Sequence, residues 1–494
     1  MPQKKLFFFS TLLALLLILG FFLRQLFLLQ DDSISLDFPQ APPFDMPAFS
    51  DLNIPQKNCD IMDFGAKNNG TTLNTAAFEK AISECANAGG GHILVPAGTW
   101  LTGAIHLKSN IDLHLEKDAT ILFSEKPEDY LPVVFTRFEG IELMNYSPFI
   151  YANDCENISI SGKGTLDGQG KIWLKWKDLQ KGDAQRLYKL ATDNVPVEER
   201  IFAQKGDNLR PFFVEFVNCK NIQLFDFTLK NSPMWSIHSL YSENVLIRGV
   251  QVITDGHNND GVVIDSSKYV LVDNVYLETG DDSISIKSGL DNDGWRVNRP
   301  AENIVIKNSR MKNGHSSITV GSEMSGGVKN IYIENCSFEK SGQGIRVKSM
   351  LGRGGYVENI WARNIQMAKI ENAALQFEMT YDSSTNNPVT DALPKIENIN
   401  IDNIKISGNS PKYLVKINGL PERRVKNVTL SNITADTTTK SEKGITIGNA
   451  QNIHLKNISF SAKKMLFFQF TNIKEVSMQN ATCKKRDATC VKIN

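Results

Sequence analysis

The chain has 494 residues, with 54 Lys plus Arg balanced by 54 Asp plus Glu and 41% apolar residues. Zero net charge excludes a global field that would gather a polyanion, so nucleic acid is not an expected partner and any anionic ligand must meet a local group of cations. The seven cysteines (Cys59, Cys85, Cys155, Cys219, Cys336, Cys483, Cys490) are dispersed and odd in number, unlike a disulfide framework or a metal knuckle; most read as small buried hydrophobes, with Cys483 and Cys490 spaced to close a terminal loop in an oxidising compartment.

Lys4 and Lys5 precede an apolar run from Leu6 to Leu23, the charge-then-hydrophobe order of a secretory signal and about long enough to span a bilayer. No small-x-small cleavage site follows, and Arg24, Leu26, Phe27 and Leu28 continue the amphiphilic stretch. Residues 1–29 are therefore expected to be a signal peptide or a signal anchor. The protein is expected to be exported, whether periplasmic, extracellular or tethered to a membrane and facing outward. Residues 30–57 carry Pro39, Pro42, Pro43, Pro47 and Pro55 with little periodicity, which predicts an extended linker outside the fold. Between Asn74 and Ala88, Phe78, Ile82 and Cys85 fall at helical spacing, with Asn74 as N-cap and Gly89-Gly90-Gly91 as the stop; this predicts a short capping helix.

From His92 onward the pattern becomes short apolar alternations punctuated by Gly, Asn or Asp, which read as strands. A phrase then recurs at Asn157-Ile-Ser-Ile, Asn221-Ile-Gln-Leu, Asn244-Val-Leu-Ile, Asn303-Ile-Val-Ile, Asn330-Ile-Tyr-Ile, Asn359-Ile-Trp-Ala, Asn398-Ile-Asn-Ile, Asn427-Val-Thr-Leu and Asn452-Ile-His-Leu. Its interval of roughly 20 to 40 residues is that of a solenoid. Strand, bend, strand and connection make one coil, so residues 58–494 are predicted to be all-β, a right-handed parallel β-helix with inward Ile, Val, Leu and Phe. The recurring Asn suits a left-handed bend and a side-chain ladder. Several of these asparagines (Asn157, Asn427, Asn432, Asn457, Asn480) also match a glycosylation sequon, although recurrence at strand starts favours the structural role.

Polar residues then appear where a solenoid needs none: Asn258-Asn259-Asp260-Gly261, Gly280-Asp281-Asp282, Gly314-His315-Ser316 and Gly344-Ile345-Arg346-Val347-Lys348. Spaced by about one coil, they return to one face of the solenoid and line one groove. Glycosidic cleavage needs one carboxylic acid to protonate the leaving oxygen and a carboxylate to activate water or attack carbon. Crowding Asp260, Asp281 and Asp282 makes full ionisation costly, so one can keep its proton. Adjacent residues of a strand face opposite ways, so Asp281 and Asp282 both reach the groove only if the segment bends, a freedom assigned to Gly280.

These four segments resemble the signatures of glycoside hydrolase family 28, the polygalacturonases: Asn-Thr-Asp, Gly-Asp-Asp, Gly-His-Gly and Arg-Ile-Lys, in order. Asn259 replaces the threonine, Ser316 the second glycine and Val347 the isoleucine. The resemblance runs from about Cys59 to Ile473, includes Asp63-Phe-Gly-Ala and Asn231-Ser-Pro-Met-Trp-Ser-Ile-His238, and is nearer to bacterial exo-acting members. It implies Asp281 as general acid, Asp260 and Asp282 activating water for an inverting displacement, His315 tuning the acid, and Arg346 and Lys348 gripping a galacturonate carboxylate. The implied partner is pectic polysaccharide or oligogalacturonide. No cofactor or metal is expected. Ser316 is expected to add a side chain near the substrate floor.

Four further residues are candidates for substrate contact: Asn258 within the first segment, His238 after Trp235, Lys287 after the carboxylate pair, and Tyr381 about one repeat past Lys348. The alternatives are a packed rung for His238, an exposed lysine and an aromatic stack. Segments Asp129 to Tyr151, Gly170 to Arg210 and Gly289 to Pro300 are long enough to wall off the groove, which favours attack from a chain end. Three rival functions stand beside this reading: a rhamnogalacturonan hydrolase, a calcium-dependent pectate lyase, and a β-helix that holds polysaccharide without cleaving it.

Overall fold

The computed structural model describes residues 38–381, 390–408, 411–437, 443–461, 466–483 and 491–493. The leader at 1–29 and the Cys483 to Cys490 pairing lie outside these residues in whole or in part. The earlier coils each supply three short strands, two of which merge into one long strand from Tyr356 onward, and strands pair in parallel with their counterparts one coil away. Lys220–Phe225 pairs with Glu243–Arg248, Thr228–Lys230 with Gln251–Ile253, and Val214–Val217 with Ile237–Leu240. The result is a right-handed parallel β-helix, in which period-2 alternation sends every second side chain inward. One inward rung column reads Ile158, Ile222, Val245, Val270, Ile304, Ile331, Ile360, Ile399, Val428 and Ile453. All ten are buried, each contributing about 1.5 to 3 kcal/mol by transfer from water.

The asparagine phrase does what its recurrence predicts. Asn157, Asn221, Asn244, Asn303, Asn330, Asn359, Asn398, Asn427 and Asn452 all have positive φ. Their amides donate from coil to coil, Asn221 to Asn157 at 3.0 Å, Asn359 to Asn330 at 3.1 Å and Asn452 to Asn427 at 2.9 Å. The sequon asparagines spend their amides on such bonds too, Asn432 to Asp402 at 2.6 Å and Asn480 to Asn457 at 3.1 Å.

Helix α1, Thr75–Asn87, buries Phe78, Ile82 and Cys85 against the first strands. Asn74 stands at its start but does not cap it with its side chain. Its amide instead braces the preceding loop and the Leu101 carbonyl, at 3.0 Å.

The expected linker is corrected over residues 38–57, while residues 30–37 lie outside the described residues. Residues 38–57 lie along the outside of the body, because a stripe of outward apolar side chains there needs a cover. Phe38 packs on Tyr332 and Phe44 on Trp361, Arg363 donates to the Gln40 carbonyl at 2.8 Å, and Gln223 donates to the Ser50 carbonyl at 2.7 Å.

The three long segments fold outward over one ladder. Val134–Phe138 and Ile141–Asn145 form an antiparallel hairpin. Helix α2, Trp176–Thr192, and helix α3, Asp291–Val297, follow in the other two. Phe138, Ile141, Leu187, Phe202, Phe212, Trp235 and Leu290 join in an apolar cluster separate from the solenoid core, which fixes these additions to the ladder beneath them. That ladder runs through β1 (Ile150–Asn153), β2 (Val214–Val217), β3 (Ile237–Leu240), β4 (Val262–Asp265), β5 (Ile284–Lys287), β6 (Ser316–Val320), β7 (Ser341–Lys348) and β8 (Ile370–Glu378).

Candidate active site

The four polar segments enter successive strands of this ladder. Asp260 precedes β4, Asp281 and Asp282 precede β5, His315 precedes β6, and Arg346 and Lys348 lie in β7. Backbone bonds hold them in step: Gly261 N–H donates to the Asp282 carbonyl at 3.1 Å, and His315 N–H to the Asp281 carbonyl at 3.1 Å. Each segment therefore sits about 4.8 Å above the last. Asn258, Asp260, Asp281, Asp282, Lys287, His315, Arg346, Lys348 and Tyr381 line one groove of about 630 Å³, within the range of ligand clefts.

Both adjacent aspartates reach the groove because the chain bends there. Gly280 serves this by close approach rather than by a left-handed φ: a Cβ at this position would fall 2.2 Å from the Gly256 nitrogen of the neighbouring coil. Asp281 then accepts from the Asn258 N–H at 3.1 Å and the Asp282 N–H at 2.9 Å. His315 Nδ1 lies 3.1 Å from its Oδ1. Lys348 reaches Asp282 at 3.3 Å, Arg346 reaches Glu378 at 3.1 Å, and both cations lie over the Tyr381 ring at 5.4 and 5.2 Å. Ser285 donates to Asp260 at 2.5 Å.

Charge separates the acids. Burial, with Asp281 and Asp282 nearby, holds Asp260 well above the usual carboxylate range. Burial would also raise Asp281, but the hydrogen bond and charge of His315, then Lys348, outweigh it and hold Asp281 below that range. The same bond to Asp281 holds His315 above its ordinary 6.5. The two share one proton, which rests on the imidazole. For His315, pairing contributes fully below pH 6.5 and is lost as pH rises through the raised value. For Asp281, it contributes above about 3.8 and is lost as pH falls through the lowered one.

That linkage sets an expected result. His315→Ala leaves Asp281 as sole holder of the proton, with a pKa below that of the original pair, so the alkaline limb of kcat/KM should move down by about one pH unit or more. An unmoved limb would separate His315 from the acid.

His238 is a correction. It is wholly buried beneath the groove, with Nδ1 2.8 Å from Glu215 and Nε2 3.6 Å from Asp265, and its ring stands edge-on to Phe212 and Trp235. It cannot touch a sugar. Burial pushes the imidazole down, but the two carboxylates outweigh it and hold it above its ordinary value. Arg137 completes the group, donating to Asp265 at 3.0 Å and to the Gly140 carbonyl at 3.1 Å. Two acids and two cations thus support the floor and tie it to the hairpin.

Lys287 lines the groove but is paired, 2.7 Å from Glu323 and 5.2 Å from the Trp235 ring centre. Ser316 does not add to the floor: it is buried, and its hydroxyl bonds Gln343 at 3.2 Å, which itself faces the groove. Asn259 is buried and pins the carbonyls of Ser232 and Met234 at 2.8 and 3.2 Å.

Glu139, Lys177, Glu323 and Arg353 also line the groove and were not anticipated. Lys177 descends from α2 to bond the Asn258 side chain at 2.6 Å, where Arg210 meets it at 2.7 Å. For Glu139 and Lys177 the length of the inserted segments was the one signal; Glu323 and Arg353 lie outside those segments and had none.

A family model described as "Glycosyl hydrolases family 28" matches residues 85–446. The chain is 31% identical over 410 residues to a probable polygalacturonase of Vitis vinifera, covering 80% of this chain and 77% of that protein. It is 30% identical over 364 residues to an exo-poly-alpha-D-galacturonosidase of Dickeya chrysanthemi, covering 68% of this chain and 59% of that one. A solved structure of a hyperthermoactive exopolygalacturonase from Thermotoga maritima superposes with a TM-score of 0.78 at 37% identity, over 83% of this chain and 93% of that one.

Proposed function

Because the chain belongs to glycosyl hydrolase family 28 and is a glycosidase, we propose that it hydrolyses α-1,4-galacturonosyl linkages in pectin, releasing sugar from a chain end. The observation that carries the substrate class is the placement of Arg346 and Lys348. They project from alternate positions of one strand into the groove that holds Asp260, Asp281 and Asp282, a pair of cations matched to a sugar carboxylate beyond the scissile bond.

In the proposed reaction the His315–Asp281 pair delivers its single proton to the leaving oxygen through Asp281. A bound sugar strips water from Asp281, and its carboxylate adds a like charge nearby; both raise the Asp281 pKa and draw the proton onto it. Asp282, with Asp260 beside it, orients the attacking water for an inverting displacement. The raised pKa of Asp260 favours a second assignment, with Asp260 as the resting proton carrier, and the variants discussed below separate the two.

Attack from an end is supported by the hairpin and α2, which bring Glu139 and Lys177 to the Asp260 side of the groove, and by the exo-acting names of two similar proteins. Polygalacturonate digested over time should give early monomer with slow loss of viscosity. A ladder of oligomers would overturn the exo assignment. Activity confined to rhamnogalacturonan would reassign Arg346 and Lys348. An unsaturated, ultraviolet-absorbing product abolished by chelation would mean elimination, and binding with no product would mean a holding role. The Lys4-Lys5 charge and the following apolar run support export to where pectin is met.

A further inference from the structure

We propose that Cys155 and Cys219 form a disulfide that staples together the two successive coils on either side of the inserted segment building the groove wall. Asn153 of β1 pairs with Val217 of β2, and beyond these strands Glu156 pairs with Lys220 while Lys220 N–H donates to the Cys155 carbonyl at 2.9 Å. The two cysteines therefore occupy equivalent positions on successive coils, with Cα atoms about 4.8 Å apart, inside the span of about 4.4 to 6.8 Å that a disulfide bridges.

Their side chains point the same way. Cys155 Sγ lies 3.2 Å from the carbonyl two residues before it, at Asn153, and Cys219 Sγ lies 3.2 Å from the equivalent carbonyl at Val217.

The neighbours in this column are serines. Ser109 on one side accepts from the Glu156 N–H at 3.0 Å, and Ser242 on the other accepts from the Cys219 N–H at 3.1 Å and itself receives support from Ser267 at 3.0 Å. A hydroxyl serves each of those coils. The two successive cysteines replace it on the two coils that flank the inserted segment. Residues 156–218 between them carry α2 and the return strand of chain to Arg210, hence both Lys177 and Arg210.

Cys155 is half-buried and Cys219 buried, which orders the chemistry. The Cys155 thiol is pushed down to about 7, chiefly by the neighbouring Cys219, so a thiolate is available near neutral pH. It attacks one sulfur of a donor disulfide, displacing one donor thiolate and leaving a mixed disulfide. Cys219 then loses its proton and attacks the Cys155 sulfur, releasing the second donor thiolate. The two protein thiols are oxidised, the donor disulfide is reduced to two thiols, and the two protons lost by the cysteines are taken up, by way of solvent, by the two released donor thiolates.

The full chain, purified reduced, is held in a buffer of oxidised and reduced glutathione, quenched with iodoacetamide and digested for mass spectrometry. The expected result is a linked peptide pair containing Cys155 and Cys219, abolished by prior reduction. Recovery of both as alkylated cysteines, or of Cys155 joined to glutathione beside an alkylated Cys219, would overturn the proposal. The double variant Cys155→Ser and Cys219→Ser continues the serine column and should fold. Its Tm should lie about 5 °C below that of the oxidised protein and be indifferent to reductant; equal Tm values would deny the cross-link its stapling role.

Discussion

Asp281→Asn will lower kcat/KM on oligogalacturonides by about a thousandfold, within the range lost with a general acid, while leaving the fold intact. The amide keeps the volume of the carboxyl, and its oxygen can still accept one of the two bonds that position the side chain, from the Asn258 N–H on Oδ2 or the Asp282 N–H on Oδ1. What it loses is the proton. An aryl galacturonide whose phenolate departs without protonation should therefore lose only about tenfold. Asp282→Asn should instead lose equally on both substrates, because water activation is needed whatever the leaving group. Should Asp260→Asn, rather than Asp281→Asn, be rescued by the aryl leaving group, the acid is Asp260 and its raised pKa is the resting proton itself. Loss on both substrates for Asp281→Asn would take the acid role from it.

Arg137→Ala is expected to have the largest effect on stability, about 3 to 5 kcal/mol, the usual cost of leaving one partner of a buried ion pair alone. Arg137 and Asp265 are fully buried, 3.0 Å apart, and the guanidinium also offsets the Glu215 and Asp265 charges shared by His238. Removing Asp265 as well, in Arg137→Ala with Asp265→Asn, should recover part of the loss, since the amide needs no counter-charge. Thermal unfolding of the two variants and the parent checks this; a double variant at least as unstable as the single one would mean that packing, not charge, sets the cost. KM should rise too, because Arg137 holds the hairpin through the Gly140 carbonyl beside Glu139.

The solenoid was legible because its interactions are local and repeated. Each Asn-Ile-x-Ile phrase states a left-handed bend and an inward pair of apolar residues, and stacking makes every coil restate it. The acids and cations were legible for the same reason: a coil's spacing returns Asp260, Asp281, His315 and Arg346 to one face. His238 was misplaced because alternation tells which residues leave the core, not what lies over them. It points outward, and the Phe212 and Trp235 rings cover it. Lys177 and Glu139 could not be chosen in advance, because α2 and the hairpin take their orientation from an apolar cluster assembled from distant segments. Gly280 was assigned to the right bend for the wrong reason, since a close approach by Gly256 is a contact between coils and leaves no mark on local sequence.

The segment at 38–57 changes how the body comes apart. In a stack where each coil touches only its neighbours, loss can begin at either end and spread rung by rung, each step independent of coils further off. Here Phe44 rests on Trp361 while Ser50 is held by Gln223. Those two residues are five rungs apart, by way of Leu246, Leu271, Val305 and Tyr332, roughly 24 Å along the axis. The coils carrying the acids lie within that reach. Their opening is thereby tied to the release of a segment anchored beyond them on both sides, so the catalytic stretch should melt as one block rather than fray.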